Sequence, residues 1–399
     1  MIDPWAEFVR RARGAEVAGY FETGAGHGDH PGTATWFDQV DEVRTIDRSV
    51  DVLDVGRATD RYLAGAPQRA TMGYLGFDAV GLLEPALGTF PRGSPFPLGE
   101  FAYAPRPTVR AVPPRPLALP RRRLRAPDRP ISDTLPRARF HASVRRLVRD
   151  IRKGEAFQIV LAHRRAWARP LDLLERAGVL RATERFAFFF YLRFGDRELV
   201  GATPESVVEV ARDRAFVNPI AGTLPRARAR GVRRPLRADP KELAEHRMLV
   251  DLARNDLGRV GRPGSVRLLY QERRERYARL EHLVSRVTTH LEAGVDPWAT
   301  LAATFPAGTV SGAPKIRATA ILRREEATWR GPYGGTVGLL RPGNRADWSL
   351  AIRTGFAAGR RLYSAAGAGI VHRSRPEREF EETLVKLAHV ETVLAGGPE

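Results

Sequence analysis

Two short acidic segments carry the side chains best suited to chemistry. K-E-L-A-E-H (241–246) contains Glu242 and Glu245, and E-F-E-E-T (379–383) contains Glu379 and Glu382. Residues three apart share one face of a helix. Two such faces meeting would offer four carboxylates to one hard cation, and Mg²⁺ takes oxygen ligands. Either pair alone also fits an ordinary solvated helix face. The pairs lie far apart in the chain, so only the fold can bring them together.

Other residues suit an anion. Arg353 sits inside the apolar run S-L-A-I-R-T-G-F (349–356). A cation there needs a partner, which an internal carboxylate or a substrate carboxylate supplies through a bidentate pair. The turns G-P-Y-G-G (331–335) and G-A-G (367–369) can present backbone N–H groups, though each also reads as a plain turn. His282, Thr309 and Tyr333 carry little signal singly; a lone histidine is usually structural, although it can move protons.

The elements that must position these residues follow from the pattern. Residues 137–153 have helical spacing, with Phe140, Val144, Leu147, Val148 and Ile151 on one face, and Gly154 ends the run. Buried-strand runs are expected at 156–162, 186–194, 198–201, 206–210, 349–356 and 361–371. Asp239-Pro240 opens a helix in N-cap and N1 order. Residues 313–324 and 375–393 read as helices. N-P-I-A-G-T (218–223), with a breaker near each end, reads as a turn before an Arg-rich loop. The Pro/Arg-rich stretch 105–136 reads as a surface connection or edge strand. The expected division is 1–130, an N-terminal region packed on the core, and 131–399, the catalytic domain. Strands and helices alternate imperfectly, which predicts an α+β mixed-sheet fold.

The chain has 399 residues, a net charge of +19 and no cysteine. Cysteine-free composition excludes disulfides, thiolate metal sites and a cysteine nucleophile. No apolar run reaches membrane-helix length, and the N-terminus lacks signal-peptide anatomy; a cytoplasmic location is expected. Only four of the 65 cations are lysines, Lys153, Lys241, Lys315 and Lys386. The charge therefore reflects an arginine skew, with no nucleic-acid-binding motif to accompany it. In such a chain Lys315 and Lys386 mark places where an ammonium serves better than a guanidinium.

Taken in order, G-A-T-P-E-S (201–206), N-P-I-A-G-T (218–223), K-E-L-A-E-H-R-M-L-V-D-L-A-R-N-D-L-G-R (241–259), H-L-V-S (282–285), P-A-G-T-V-S-G-A-P-K (306–315), G-P-Y-G-G (331–335), A-I-R-T (351–354), A-G-A-G-I-V (366–371) and E-F-E-E-T-L-V-K (379–386) resemble the chorismate-utilising enzymes. That family includes anthranilate synthase component I, aminodeoxychorismate synthase component I, isochorismate synthase and salicylate synthase. The resemblance runs from about Phe140 to Val393 and implies a two-sheet α/β sandwich flanked by helices. It implies an Mg²⁺ site of Glu245 and Glu382, with Glu242 and Glu379 reached through water. It also implies that Tyr333, Arg353, Gly367, Ala368, Gly369 and Lys386 hold the enolpyruvyl carboxylate. Glu205 resembles the acid that protonates the departing C4 hydroxyl, with His282, Thr309 and Thr223 beside the ring.

Within the family, Ala221 and Gln158 bear on the branch. The isochorismate and salicylate branches use a lysine base where this chain has Gln158. The aminodeoxychorismate branch commonly has a nucleophilic lysine where this chain has Ala221. Their absence points to attack by ammonia at C2 and elimination of pyruvate, the anthranilate synthase reaction. The alternatives are 4-amino-4-deoxychorismate or 2-amino-2-deoxyisochorismate as product, and, outside enzymes, nucleic-acid binding on this scaffold. With no cysteine for glutamine hydrolysis, ammonia must come free or from a glutamine amidotransferase subunit. No L-L-E-S-like tryptophan-binding segment is present, so feedback inhibition is not expected.

Overall fold

The computed structural model describes residues 3–24, 32–88, 91–112, 124–125, 127, 129–225, 240–276, 280–326 and 328–398. For 124–125, 221–225, 240–242, 275–276, 280–282 and 397–398 it describes the backbone alone.

The aromatic run Phe188–Phe194 shows how the layers are built. Phe188, Phe190, Leu192 and Phe194 face one way and pack with Phe21, Met72, Tyr74, Val337 and Leu339. Phe189 and Tyr191 face the other way, onto Trp5, Phe8, Leu174 and Leu180. Strand side chains alternate between faces. A strand covered on both faces therefore reads as a continuous apolar run rather than an alternating one.

Two antiparallel sheets enclose the first of these cores. One runs in the order Gly312–Ala313, Gln158–Ala168, Arg361–Ile370, Thr354–Ala358, Arg197–Thr203, Phe188–Phe194, Val17–Thr23, Thr33–Phe37, Thr108–Ala111, with Ser132–Asp133 also on Gln158–Ala168. The other runs Ile220–Pro225, Leu280–His290, Arg214–Val217, Ser206–Ala211, Arg345–Leu350, Thr336–Arg341, Ala70–Leu75, Gly99–Ala104, Glu42–Ile46, with Arg267–Arg276 on Leu280–His290. Strands from the first hundred or so residues are thus built into both sheets. Thr108–Ala111, from the Pro/Arg-rich stretch, is an outermost strand, where missing proline donors do least harm.

Helices cover the outer faces. Pro4–Ala12, Leu173–Thr183 and Pro376–Leu394 pack on the first sheet. Val52–Ala64, Pro240–Gly258 and Pro297–Thr304 pack on the second. Arg137–Arg152 buries Phe140, Val144, Leu147 and Ile151 against Lys315–Glu326 and Phe380. The architecture is the expected α+β, two-sheet sandwich flanked by helices. Among the described residues no helix is long and apolar enough to cross a membrane.

Two local expectations are corrected. The run 349–356 is not one strand. It breaks at Ala351–Arg353: Arg345–Leu350 belongs to one sheet and Thr354–Ala358 to the other. Arg353 itself takes φ +51°, a left-handed conformation uncommon for arginine, and the chain crosses between sheets there. N-P-I-A-G-T is not simply a turn either. Ile220–Pro225 is a strand paired with Leu280–His290, with a register shift between Ala221 and Thr223. The intervening Gly222 falls where a bulge is tolerated.

The inter-sheet core makes Phe190, fully buried at its centre, a sensitive position. Phe190→Ala is expected to lower unfolding free energy by about 3–5 kcal/mol, measured by urea denaturation; a loss under about 1 kcal/mol would contradict this packing.

Candidate active site

The strand Arg361–Ile370 is where the site begins, because at Gly367 and Gly369 its backbone lies close against neighbouring side chains. A Cβ on Gly369 would lie 2.6 Å from Gln158 Nε2, and one on Gly367 would lie 2.9 Å from Val160 Cγ1 and 3.2 Å from the Tyr333 hydroxyl. A Cβ at either position would therefore displace a neighbouring side chain. Ala368 between them is fully buried on the opposite face, against the Arg137–Arg152 helix layer. It supplies backbone, not a side chain, to the site.

Tyr333 comes to Gly367 from the turn 330–335. Gly331 and Gly334 have φ +63° and +76°, values that favour glycine. The turn is tied at its start by the Asp78 carboxylate, which accepts from the N–H groups of Arg330 and Gly331 (2.8 Å for Gly331). At its end Gly334 N–H donates to Ala351 O, and Ala351 N–H to Gly335 O, both 2.9 Å. Burial pushes the Tyr333 phenol up to about 12, while Arg330 and the Gly367 N–H oppose the rise. The phenol stays protonated and can donate. Burial likewise lifts Asp78 to about 6.

Glu205 is the acid of this neighbourhood. It lies at the bend between Arg197–Thr203 and Ser206–Ala211, one strand in each sheet. Its carboxyl is buried and accepts from Thr309 Oγ1 at 2.6 Å. Burial raises its pKa to about 7; the Thr309 bond and the charges of Arg353 and Lys386 pull the other way. Those influences place Glu205, Thr309, Arg353 and Lys386 in one electrostatic neighbourhood, and Tyr333 feels the Glu205 charge as well. A carboxyl with this pKa can hold a proton at neutral pH and release it in a reaction.

The two acidic helices reach the same strand from outside. Gln158 is buried, touches Gly369 and donates from Nε2 to Glu245 Oε1 at 2.9 Å. Lys386 donates to Gly367 O at 2.9 Å and pairs with Glu382 at 2.7 Å. Glu245 and Glu382 are thus each one side chain away from the glycine-faced strand. Pro376–Leu394 buries Phe380, Thr383 and Leu387 and turns Glu379 and Glu382 away from that core, Glu379 half-buried and Glu382 exposed. All donors here are carboxylates, the ligand class of a hard divalent cation, and their chemistry fits one. Among the described residues no three acidic or His/Cys side chains gather as a ready-made metal cluster.

The side chains of Glu242, Ala221, Thr223 and His282 lie outside the described residues. Backbone pairing sets Thr223 opposite His282 and Ala221 opposite Leu283.

Several supporting groups surround these residues; His246, Arg330 and Glu326 escaped the sequence, while Lys315 was marked there. His246, next to Glu245, is buried and shares a 2.6 Å hydrogen bond with Ser285 Oγ. Burial holds its pKa below the usual histidine range, so it stays neutral. The adjacent motifs E-H and H-L-V-S were the only signal. Lys315, marked by the scarcity of lysine, is a buried clamp: Nζ donates to both Asp256 oxygens and to Thr304 O, each at 2.8 Å. Arg330 and Glu326 form a buried ion pair behind the Tyr333 turn.

Residues 20–392 match the model of the chorismate binding enzyme family. The chain is 44% identical over 260 residues to anthranilate synthase component 1 of Streptomyces coelicolor, a match spanning 63% of this chain and 50% of that protein. It is 39% identical over 265 residues to a 2-amino-4-deoxychorismate synthase of Streptomyces globisporus, covering 64% and 53%. The chain matches about half the length of these curated relatives. The crystal structure of anthranilate synthase component I from Streptococcus pneumoniae superposes with a TM-score of 0.73 at 29% identity, covering 94% of this chain and 90% of that one.

Raised in the fold, the Glu205 pKa makes stability fall as pH rises from the unfolded carboxyl range through about 7. Glu205→Gln removes that dependence. The variant's stability relative to the natural chain is expected to improve by about 3 kcal/mol between pH 5 and pH 8.5, read by denaturation at both pH values. No change in the difference would mean the carboxyl is not held at high pKa.

Proposed function

The chain belongs to the chorismate-binding enzymes, and from that premise we propose that it aminates chorismate with ammonia and releases anthranilate. One observation supports the reading: a buried Glu205 with a raised pKa, bonded to Thr309 and within reach of the charges of Arg353 and Lys386, near the Tyr333 phenol, which packs on Gly367. A dicarboxylate fits that charge pattern.

In this reading Arg353, Lys386, the Tyr333 hydroxyl and the backbone N–H groups hold the enolpyruvyl carboxylate. Mg²⁺ on Glu245 and Glu382, with Glu242 and Glu379 behind water, would neutralise the ring carboxylate. Ammonia attacks C2. The ring double bonds shift as the C4 hydroxyl departs, and Glu205 donates the proton that lets it leave as water. The attacking ammonia gives up a proton, which restores the one Glu205 lost; His282 then assists the second stage, in which C2 loses its proton, the C3–O bond breaks and the enolpyruvyl methylene takes up a proton, releasing pyruvate. Chorismate and ammonia give anthranilate, pyruvate and water. Gln158 has no basic amine with which to activate water at C2, which disfavours hydroxylation. Ammonia is supplied by a glutamine amidotransferase partner or from solution, in the cytoplasm.

A second reading stops before pyruvate is lost. Similarity to the Streptomyces globisporus protein favours it, and the same assay separates the two.

With chorismate, Mg²⁺ and ammonium, blue-fluorescent anthranilate is expected to form and to stop on chelation by EDTA. An amino-chorismate that retains its enolpyruvyl group, identified by mass spectrometry, would overturn the anthranilate reading in favour of the second. Glu245→Gln and Glu382→Gln are each expected to abolish turnover in folded protein; an active variant would remove that residue from the metal site. Because Glu205 must be protonated, turnover at a fixed concentration of free ammonia is expected to fall as pH rises above about 7. Glu205→Gln should lower kcat by roughly 10²–10⁴-fold. A flat profile through pH 6–8.5 would exclude Glu205 as the acid.

A further inference from the structure

The outer edge of the strand Gln158–Ala168 has a gap. Gly312–Ala313 pairs with it at Ile159 and Gln158, and Ser132–Asp133 pairs with it at Ala166 and Arg165. Between these, Val160 C=O and Ala162 N–H point to the same edge, as groups two residues apart on a strand do. Buried backbone groups need partners, and here two side chains supply them. Arg330 Nη2 donates to Val160 O at 2.8 Å, and Glu326 Oε1 accepts from Ala162 N–H at 3.0 Å.

Arg330 and Glu326 are themselves buried and paired, through bonds of 2.7 Å from Nε and 2.6 Å from Nη2. Arg330 Nη1 also donates to Val310 O at 2.6 Å, and the guanidinium lies over the Phe77 ring. One planar group therefore serves four acceptor contacts in several directions. An ammonium, with three donors on one nitrogen, does not reproduce that fork.

Each segment so held carries a site residue. Val310 follows Thr309, which grips Glu205. Val160 and Ala162 lie directly across the strand pair from Gly369 and Gly367. The turn bearing Tyr333 begins at Arg330. A buried ion pair is not a general route to stability, since apolar replacements are often as stable. What this pair adds is a fixed separation between segments from different parts of the chain. We infer that Arg330, with Glu326, is a positioning residue that sets Tyr333, the Gly367–Gly369 backbone and the Thr309–Glu205 pair against one another. The inference rests on the proposal that Tyr333 and Gly367 receive a substrate carboxylate.

The test is a double-mutant cycle on chorismate affinity, read by calorimetry with Mg²⁺ on the full chain, with thermal melting of every variant. Arg330→Lys is expected to weaken binding by about tenfold, the loss of one well-placed charge-assisted bond. Tyr333→Phe is expected to weaken it similarly. The double variant should be little weaker than the poorer single one, because the first change already misplaces the phenol. Multiplying effects, or Arg330→Lys binding as the natural chain does, would overturn the inference. Should Arg330→Lys not fold, Glu326→Gln, which keeps an acceptor for Ala162, takes its place in the cycle. Failure of both to fold would make the pair structural only and overturn the inference equally. A chain that binds chorismate without aminating it would overturn the proposed reaction while the cycle still decides the role of Arg330.

Discussion

The site depends on a close approach of backbone. At Gly367 and Gly369 a Cβ would meet Gln158, Val160 and the Tyr333 hydroxyl, which pack against the bare backbone there. A strand bare of side chains can meet a ligand with its own N–H groups, which are rigid and carry no rotamer entropy. Everything else is arranged around that bare surface. The sheet behind it is backed by the aromatic core between the two sheets. Charged groups must come to it from other elements, because the strand offers none between Leu362 and Ile370.

Those groups arrive by three routes, each with a structural cost. Arg353 arrives through a break between strands of different sheets, at a positive φ that arginine seldom adopts. Glu205 arrives at another crossing between the sheets, where burial raises its pKa and Thr309 fixes its orientation. The acidic helices arrive from outside the sandwich through Gln158 to Glu245 and Lys386 to Glu382. In the proposed reaction, proton transfer and cation binding would thereby fall close to the same glycine-faced strand.

Regular elements were legible wherever packing agreed with local pattern. The helix Arg137–Arg152 shows its apolar spacing openly. The run 186–194 could be read as a buried strand from its length and aromatic content, and the strand found is Phe188–Phe194. The break at Arg353 was not legible, because S-L-A-I-R-T-G-F has the composition of one strand and tertiary structure alone forces the crossing. N-P-I-A-G-T misled in the opposite sense: its proline and glycine mimic a turn, yet Pro219 only precedes the strand and Gly222 falls at its bulge. In the site, the residue types of the motifs were legible, but their supports were not. Arg330 is one arginine among 65 cations, and nothing in R-R-E-E-A-T-W-R reveals that Glu326 and Arg330 turn inward.

The proposed reaction turns on where two carboxylates of one substrate lie. The direct measurement is a crystal structure of the protein with Mg²⁺ and chorismate, or an unreactive analogue bearing both carboxylates. One carboxylate is predicted to lie against Tyr333, Arg353 and the Gly367–Gly369 backbone, with the other on a metal held by Glu245 and Glu382 and the C4 oxygen within hydrogen-bonding reach of Glu205. A ligand bound with neither carboxylate at the glycine-faced strand, or a metal held without Glu245 and Glu382, would contradict it.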